Sequence, residues 1–312
     1  MKRFFCYCLL LTLCFSAIAD DKFVTILVPK STSSIPFLEL GLRDRTKNVL
    51  PGIEIKIEFF ANHAQALARL LNGDVEFLYT GSSVGWDNHL NGGPVVMIRT
   101  GVWGVSSIIG SDSGYTSIGD LKDKTIALPF PGAPLDVQMR YIFEKNGIDP
   151  DNDLRIVYTP FPQAAGQIIS GQVDAAPLPE PLATTVVAGK GLVRYVRVQD
   201  AWADVQSGDP LSPQVALFTT TESLSEVNSI LPVLLSEWQE TSDYVTEFPQ
   251  QASDAHAEEL GFPAGVVKTA IGNTIYRVTD SEDNKNRVLN YLTLIYDGTD
   301  RNLPKDSFFA DF

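Results

Sequence analysis

The chain has 312 residues, of which 44% are apolar and 20% charged, with a formal net charge of −14 at pH 7. That is enough apolar material for two domains of common size, and so negative a chain is repelled by nucleic acid and anionic lipid. The three cysteines, Cys6, Cys8 and Cys14, all lie near the start, which excludes disulfides, zinc–thiolate sites and cysteine nucleophiles from everything that follows.

The opening segment carries Lys2 and Arg3, an apolar run from Phe4 to Ile18, and the triplet Ala17-Ile18-Ala19. This is the pattern of a secretory leader cleaved after Ala19, too short with those flanks to be a spanning helix. A lipoprotein leader with Cys14 lipidated is the alternative, but Leu13 stands where such leaders carry a small residue. The mature chain is therefore expected in the periplasm and free of cysteine. No later apolar run is long enough to span a membrane.

Beyond the leader, FVTILVP reads as a strand, followed by a Ser-rich loop and a helix from about Pro36. IEIKIEFF is a strand, AQALARLLN a helix, VEFLYTG a strand, and a helix opens near Val84. A β-rich crossing, 95–121, leads to a second series. KTIALPF, the loop PGAP, the helix LDVQMRYIFEKN, LRIVYTP, QAAGQIISG, VDAAPL and a helix from about Pro181 repeat the same order. Gly73 and Gly147 stand just past helix ends, as C-terminal signals. A second crossing, Pro213 to Phe218, precedes a mostly helical remainder from about Ser223.

The two series are copies of one unit. Gln65-Ala66 and Gly73-Asp74-Val75-Glu76 match Gln163-Ala164 and Gly171-Gln172-Val173-Asp174 at a constant offset of 98, and Thr25-Ile26 matches Thr125-Ile126 at 100. Strands alternating with helices argue for parallel βαβ units. The expected architecture is α/β with two lobes, 20–105 plus 212–312 and 106–211, joined by two crossings that permit hinge motion.

In open parallel sheets ligands lie beyond the carboxyl ends of the strands. That rule selects four loops, Lys30 to Ile35, Thr80 to Val84, Phe130 to Asp136 and Leu178 to Leu182. Ser31, Thr32, Ser33, Thr80, Ser82 and Ser83 offer hydroxyls, and Gly81 and the helix starts offer backbone N–H groups to a polar or anionic head. Each hydroxyl taken singly could equally be a helix cap. Gly132 between Pro131 and Ala133 gives a rigid turn with a bare backbone. Asp136 reads as a complement to a helix dipole, and Glu180, flanked by prolines, as a rigidly held carboxylate or a second helix-start acid. Trp103 and Gln214, in the crossings, are candidate cleft walls, although most tryptophans are core.

Other chemistries fit poorly. Gly81-Ser82-Ser83-Val84-Gly85 spells a nucleophile elbow, which makes a secreted serine hydrolase using Ser83 the alternative function. Its base would have to be His256, in a polar helical stretch where a solvated histidine is expected, and the second-copy equivalent of Ser83 is Pro181. His63, His89 and His256 are too scattered for a metal cluster, and no dinucleotide or Walker loop follows a strand. No cofactor and no metal are expected.

The run 121–191 resembles the second lobe of periplasmic solute-binding proteins of ABC importers, in the nitrate, sulfonate, taurine and bicarbonate group, which also includes binders of thiamine-pyrimidine precursors. The likeness rests on Leu121-Lys122 with Lys124, Asn146-Gly147-Ile148, Gly171-x-Val173-Asp174-Ala175-Ala176 and Glu180-Pro181, with Ala66, Leu67, Leu70, Gly73 and Asp74-Val75 in the first lobe. It implies a type II periplasmic-binding fold and a non-enzymatic monomer that captures a small solute by lobe closure and hands it to a membrane permease. PKSTSSIPFLELGL replaces the family's usual opening phrase, and the loops carry no Arg, with Lys30 their only base. An uncharged or nitrogen-bearing heterocycle therefore stands beside an oxyanion as the expected ligand. An enzyme on the same fold is a further alternative, against which the export leader speaks.

Overall fold

The computed structural model describes residues 22–111, 113–297 and 301–311, so the leader, its cysteines and the proposed cleavage site lie outside the described residues. The first copy folds as β1 (Lys22–Pro29), α1 (Ile35–Lys47), β2 (Ile53–Phe60), α2 (His63–Leu71), β3 (Phe77–Gly81) and α3 (Ser82–Leu90). β4 (Val95–Gly104) and β5 (Ser106–Gly110) form the first crossing, with Val105 alone between them. The second copy is β6 (Thr125–Leu128), α4 (Pro134–Lys145), β7 (Arg155–Tyr158), α5 (Phe161–Ile169), β8 (Ala175–Pro179) and α6 (Leu182–Lys190). β9 (Val193–Arg197), α7 (Val198–Val205) and β10 (Val215–Thr220) follow. The remainder is α8 (Thr221–Val227), α9 (Leu231–Glu247), α10 (Pro249–Leu260), α11 (Ala264–Gly272), the short β11 (Ile275–Tyr276) and α12 (Ser281–Ile295).

The sheets are mixed, and the repeat governs both. One has the order β11-β4-β10-β3-β1-β2 and the other β7-β6-β8-β5-β9. In each, the three strands of a copy run parallel, β2-β1-β3 and β7-β6-β8, and an antiparallel strand seals the inner edge. The sealing strands are exchanged. β5 follows the first copy in sequence but pairs with β8 of the second; β10 follows the second copy but pairs with β3 of the first.

The Gly-x-Val-acid echo has a physical cause. Gly73 and Gly171 take φ of 75° and 70°, a left-handed conformation that a side chain resists, and so end α2 and α5. Val75 and Val173 are buried. The acid then accepts a hydrogen bond from the first strand of its own copy: Glu76 Oε2 from the Thr25 N–H at 2.7 Å, and Asp174 Oδ2 from the Thr125 N–H at 2.8 Å. Each carboxylate thus ties the strand it precedes to the strand that opened the unit.

Strands β1 and β4 are buried on both faces, as strands covered on two sides must be. One apolar cluster lies between the first sheet and α1, α9 and α10, and a second between the other sheet and α5 and α6. A third is continuous across both halves, running through Leu27, Trp86, Trp103, Ile108, Trp202 and Tyr291. Behind the crossings the halves also touch through polar groups, with the Gln199 Nε2 donating to the Asn273 carbonyl at 2.7 Å and Arg287 of α12 paired with Asp209. Among the described residues no helix is long and apolar enough to cross a membrane.

Candidate ligand site between the two sheets

The carboxyl ends of β1, β3, β6 and β8 converge with the two crossings on a cavity of about 630 Å³. The walls from the first sheet include Ser31, Ser33, Gly81, Ser82, Ser83 and Val84. Those from the second include Phe130, Ala133, Leu135 and Glu180, with Val105, Ser106 and Gln214 from the crossings. Among the described residues neither lysine nor arginine lines it.

The α3 end supplies its polar wall. Gly81 caps the helix without a side chain, and the Ser82 N–H donates to the Gln214 carbonyl across the crossing at 3.0 Å. Early N–H groups of a helix lack intrahelical acceptors, so Ser83 and Val84 present an electropositive helix start to the cavity. Ser82 is 2% exposed and Trp86 1% exposed, and among the described residues neither the Ser82 Oγ nor the Trp86 Nε1 has a hydrogen-bond partner. Both side chains line the cavity. On the β1 side, Ser31 and Ser33 share a hydrogen bond of 2.6 Å, and the Ser34 Oγ donates to the Pro29 carbonyl at 2.5 Å.

Several residues expected at the ligand have other work. Thr32 is fully buried; its carbonyl accepts from the Tyr276 hydroxyl at 2.8 Å, fixing the loop from behind. Thr80 is likewise buried and shares a 2.7 Å hydrogen bond with the His63 Nδ1. Trp103 does not reach the cavity: its ring is core, and its Nε1 donates to the Arg277 carbonyl at 2.9 Å. Pro131 and Gly132 also stand back from the wall. Gly132 has φ of 75°, and its N–H donates to Asp136 Oδ2 at 2.8 Å. Asp136 is buried in this role and paired with Arg140 at 3.2 Å, so it is a loop and helix-start carboxylate.

Glu180 borders the cavity but its carboxylate is occupied. Oε2 accepts from the Thr184 N–H of α6 at 3.1 Å, and Oε1 meets the Arg194 Nη1 at 2.7 Å, while the Arg194 Nη2 donates to the Thr184 Oγ1 at 2.9 Å. Arg194 also donates to the Ser107 hydroxyl on β5. The helix-start reading therefore describes Glu180, which precedes a cis bond to Pro181. Gln214 faces the cavity from a fixed position: its Nε2 donates to the Ser212 Oγ at 3.1 Å, which also accepts from the Gln138 Nε2 at 3.0 Å.

Several wall residues escaped the sequence reading, Trp86, Val105 and Ser106 among them, and so did the pair His63 and Phe161, which begin α2 and α5. They are equivalent at the offset of 98, and that correspondence was the signal available. Partial burial holds the His63 imidazole below its ordinary pKa.

The hydrolase alternative loses its base. His256 is not a solvated histidine but is buried between α10 and α1, with its Nε2 3.0 Å from Glu39 Oε1. His89 packs its ring on Phe308. No cluster of metal-ligating side chains exists among the described residues.

The family model for the phosphonate-type periplasmic substrate-binding proteins of ABC transporters matches residues 41–225. The chain belongs to this family. It is the substrate-binding component of an ABC importer, and the family's partners are a small-molecule ligand and a membrane permease. A binding protein of Brucella abortus is 24% identical over 223 residues, 71% of this chain and 67% of its own. An ABC transporter protein of Parabacteroides distasonis has the same fold, with a TM-score of 0.77 at 15% identity over 93% of this chain and 99% of its own. The periplasmic aliphatic sulphonate-binding protein of Escherichia coli gives 0.72 at 15% identity, covering 92% and 91%. The expected α/β periplasmic-binding fold is thus present, in the family of importer binding proteins that the resemblance implied.

Proposed function

We propose that this binding protein captures a small organic oxyanion, with its head at the start of α3 and an apolar body against Trp86, Phe130 and Phe161. The observation that carries the reading is the pair of buried donors on the cavity wall, the Ser82 Oγ and the Trp86 Nε1, neither of which has an acceptor among the described residues. A buried donor left unpaired costs about 1–3 kcal/mol, which a bound acceptor recovers. Helix starts hold anions through neutral N–H groups, so a wall without lysine or arginine still suits an anionic head. Family membership and the likeness to a sulphonate-binding protein support a phosphonate or sulfonate over nitrate, which has no apolar body to fill 630 Å³.

In this reading the two halves act as lobes, 20–105 plus 212–312 and 106–211, of a monomer exported by cleavage after Ala19. They close on the ligand before it passes to the permease. The same absence of basic side chains favours a second reading, capture of a neutral nitrogen heterocycle. A thermal-shift screen pairing alkylphosphonates and alkylsulfonates with pyrimidines separates the two, because a ligand selective for the native state raises the melting temperature. Stabilisation by heterocycles alone refutes the oxyanion reading. Small-angle scattering should show the particle contract with the stabilising compound; an unchanged radius of gyration refutes closure.

A further inference from the structure

The oxyanion reading leaves a question of charge: the cavity offers an anion no permanent counter-charge. Glu180 is matched by Arg194, and among the described residues the remaining titratable side chain on the wall is His63. We propose that His63 is a proton-switched specificity residue, which takes up a proton as an anionic ligand binds and thereby favours anions over neutral compounds of the same shape. This rests on the oxyanion reading of the cavity.

The geometry places the ring suitably. His63 begins α2 at the edge of the cavity, with Nδ1 fixed at 2.7 Å from the Oγ1 of buried Thr80 and its ring edge-on to Phe60 at 5.1 Å between centroids. Thr80 belongs to β3, which delivers Gly81 and Ser82 to the polar wall, so the imidazole and the α3 start share one support. Among the described residues Nε2 has no hydrogen bond. Protonation makes both ring nitrogens donors: Nδ1 donates to Thr80, and Nε2 becomes a charged donor at the cavity.

Nearby charges are otherwise engaged. On β2 and α2, Glu58 pairs with Arg69 at 3.0 Å, and Lys56 lies over the Phe23 ring. At the end of β1, Lys30 lies over Phe59. Before β3, Glu76 accepts from the Thr25 N–H, while on β3 itself Tyr79 points to the opposite face, against Phe37 and Trp238. β10 carries no titratable side chain. His63 is exposed as a residue, with its imidazole partly desolvated against Phe60 and Thr80; that desolvation lowers its pKa, which leaves the ring neutral near pH 7 and able to take up a proton.

The test is calorimetry with 1-butanesulfonate, which does not itself titrate, in two buffers of different ionisation enthalpy, with butyl methyl sulfone as its uncharged counterpart. At pH 7.5 the wild-type protein should take up about one proton per sulfonate bound, and affinity should fall by about tenfold for each pH unit between the free-state pKa and the higher bound-state pKa. The sulfone should bind without proton uptake. His63→Gln should abolish both the uptake and the pH dependence for the sulfonate. Sulfonate binding without proton uptake by the wild-type protein overturns the inference and leaves the oxyanion reading standing. Binding of the sulfone alone, or of neither compound, overturns both.

Discussion

Arg194→Met tests whether Glu180 organises the site or binds the ligand. The substitution keeps an apolar stem of similar length but removes the guanidinium that meets Glu180 Oε1, Thr184 Oγ1 and Ser107. The Glu180 side chain is 0% exposed, so among the described residues its carboxylate would be left with the Thr184 N–H as its one donor. Stranding a buried charge in this way costs about 3–5 kcal/mol. Glu180→Gln should cost less, about 1–2 kcal/mol, because the amide oxygen can still accept a hydrogen bond and the unmatched Arg194 side chain is 19% exposed. The double variant should fall well short of the summed losses, since the second change removes the charge that the first strands. Urea unfolding followed by circular dichroism measures all three, with a shared m-value as the check that the transitions are comparable. Equal costs for the two single variants, or a loss below about 1 kcal/mol for Arg194→Met, would refute this account of the cluster.

Ser82→Ala should raise the stability of the ligand-free protein, by up to about 1–3 kcal/mol, because it removes a buried hydroxyl that has no partner among the described residues, while weakening binding of the best thermal-shift compound by about tenfold; chemical unfolding reads the stability and isothermal titration the affinity. Gly85→Ala should destabilise by about 1–3 kcal/mol, since the added Cβ would lie 2.0 Å from the Phe218 Cε1 at the back of α3; chemical unfolding measures it. Ligand-free protein should lose stability as pH falls below the ordinary histidine pKa of 6.5. His63 and His89 both have lowered folded-state pKa values, so the unfolded chain binds more protons in that window. Substituting both by Gln should reduce this slope in pH-dependent melting curves, whereas an unchanged slope would assign it to other groups.

The repeat was legible because its signals are local. Gly73 and Gly171 end helices, Val75 and Val173 enter the core, and Glu76 and Asp174 hold a neighbouring strand, so each position answers to a constraint within one unit. The four loops were legible for the same reason, since a strand leading into a helix start can be read along the chain. What occupied the side chains was not. Asp136 and Glu180 are taken by Arg140 and Arg194, and Thr80 by His63, through pairings that depend on the assembled fold. β9 and α7 also escaped, because β9 ends at Arg197 and α7 begins at Val198 without a glycine or proline to punctuate the change. Trp103 illustrates the limit of placing a residue by segment: its crossing borders the cavity, while its ring enters the core.

The exchange of β5 and β10 sets an order for vectorial synthesis. By Arg197 a nascent chain holds every strand of the five-stranded sheet, although that half starts second. The six-stranded sheet then still lacks β10, leaving β3 without its inner neighbour and β4 without any strand partner until Thr220 has emerged on the far side of the membrane. Unpaired strand edges attract wrong partners. The half that emerges first is therefore completed last, and from Gly81, where β3 ends, until Val215 and the rest of β10 arrive, its open edge must be shielded by the helices already formed or by a chaperone.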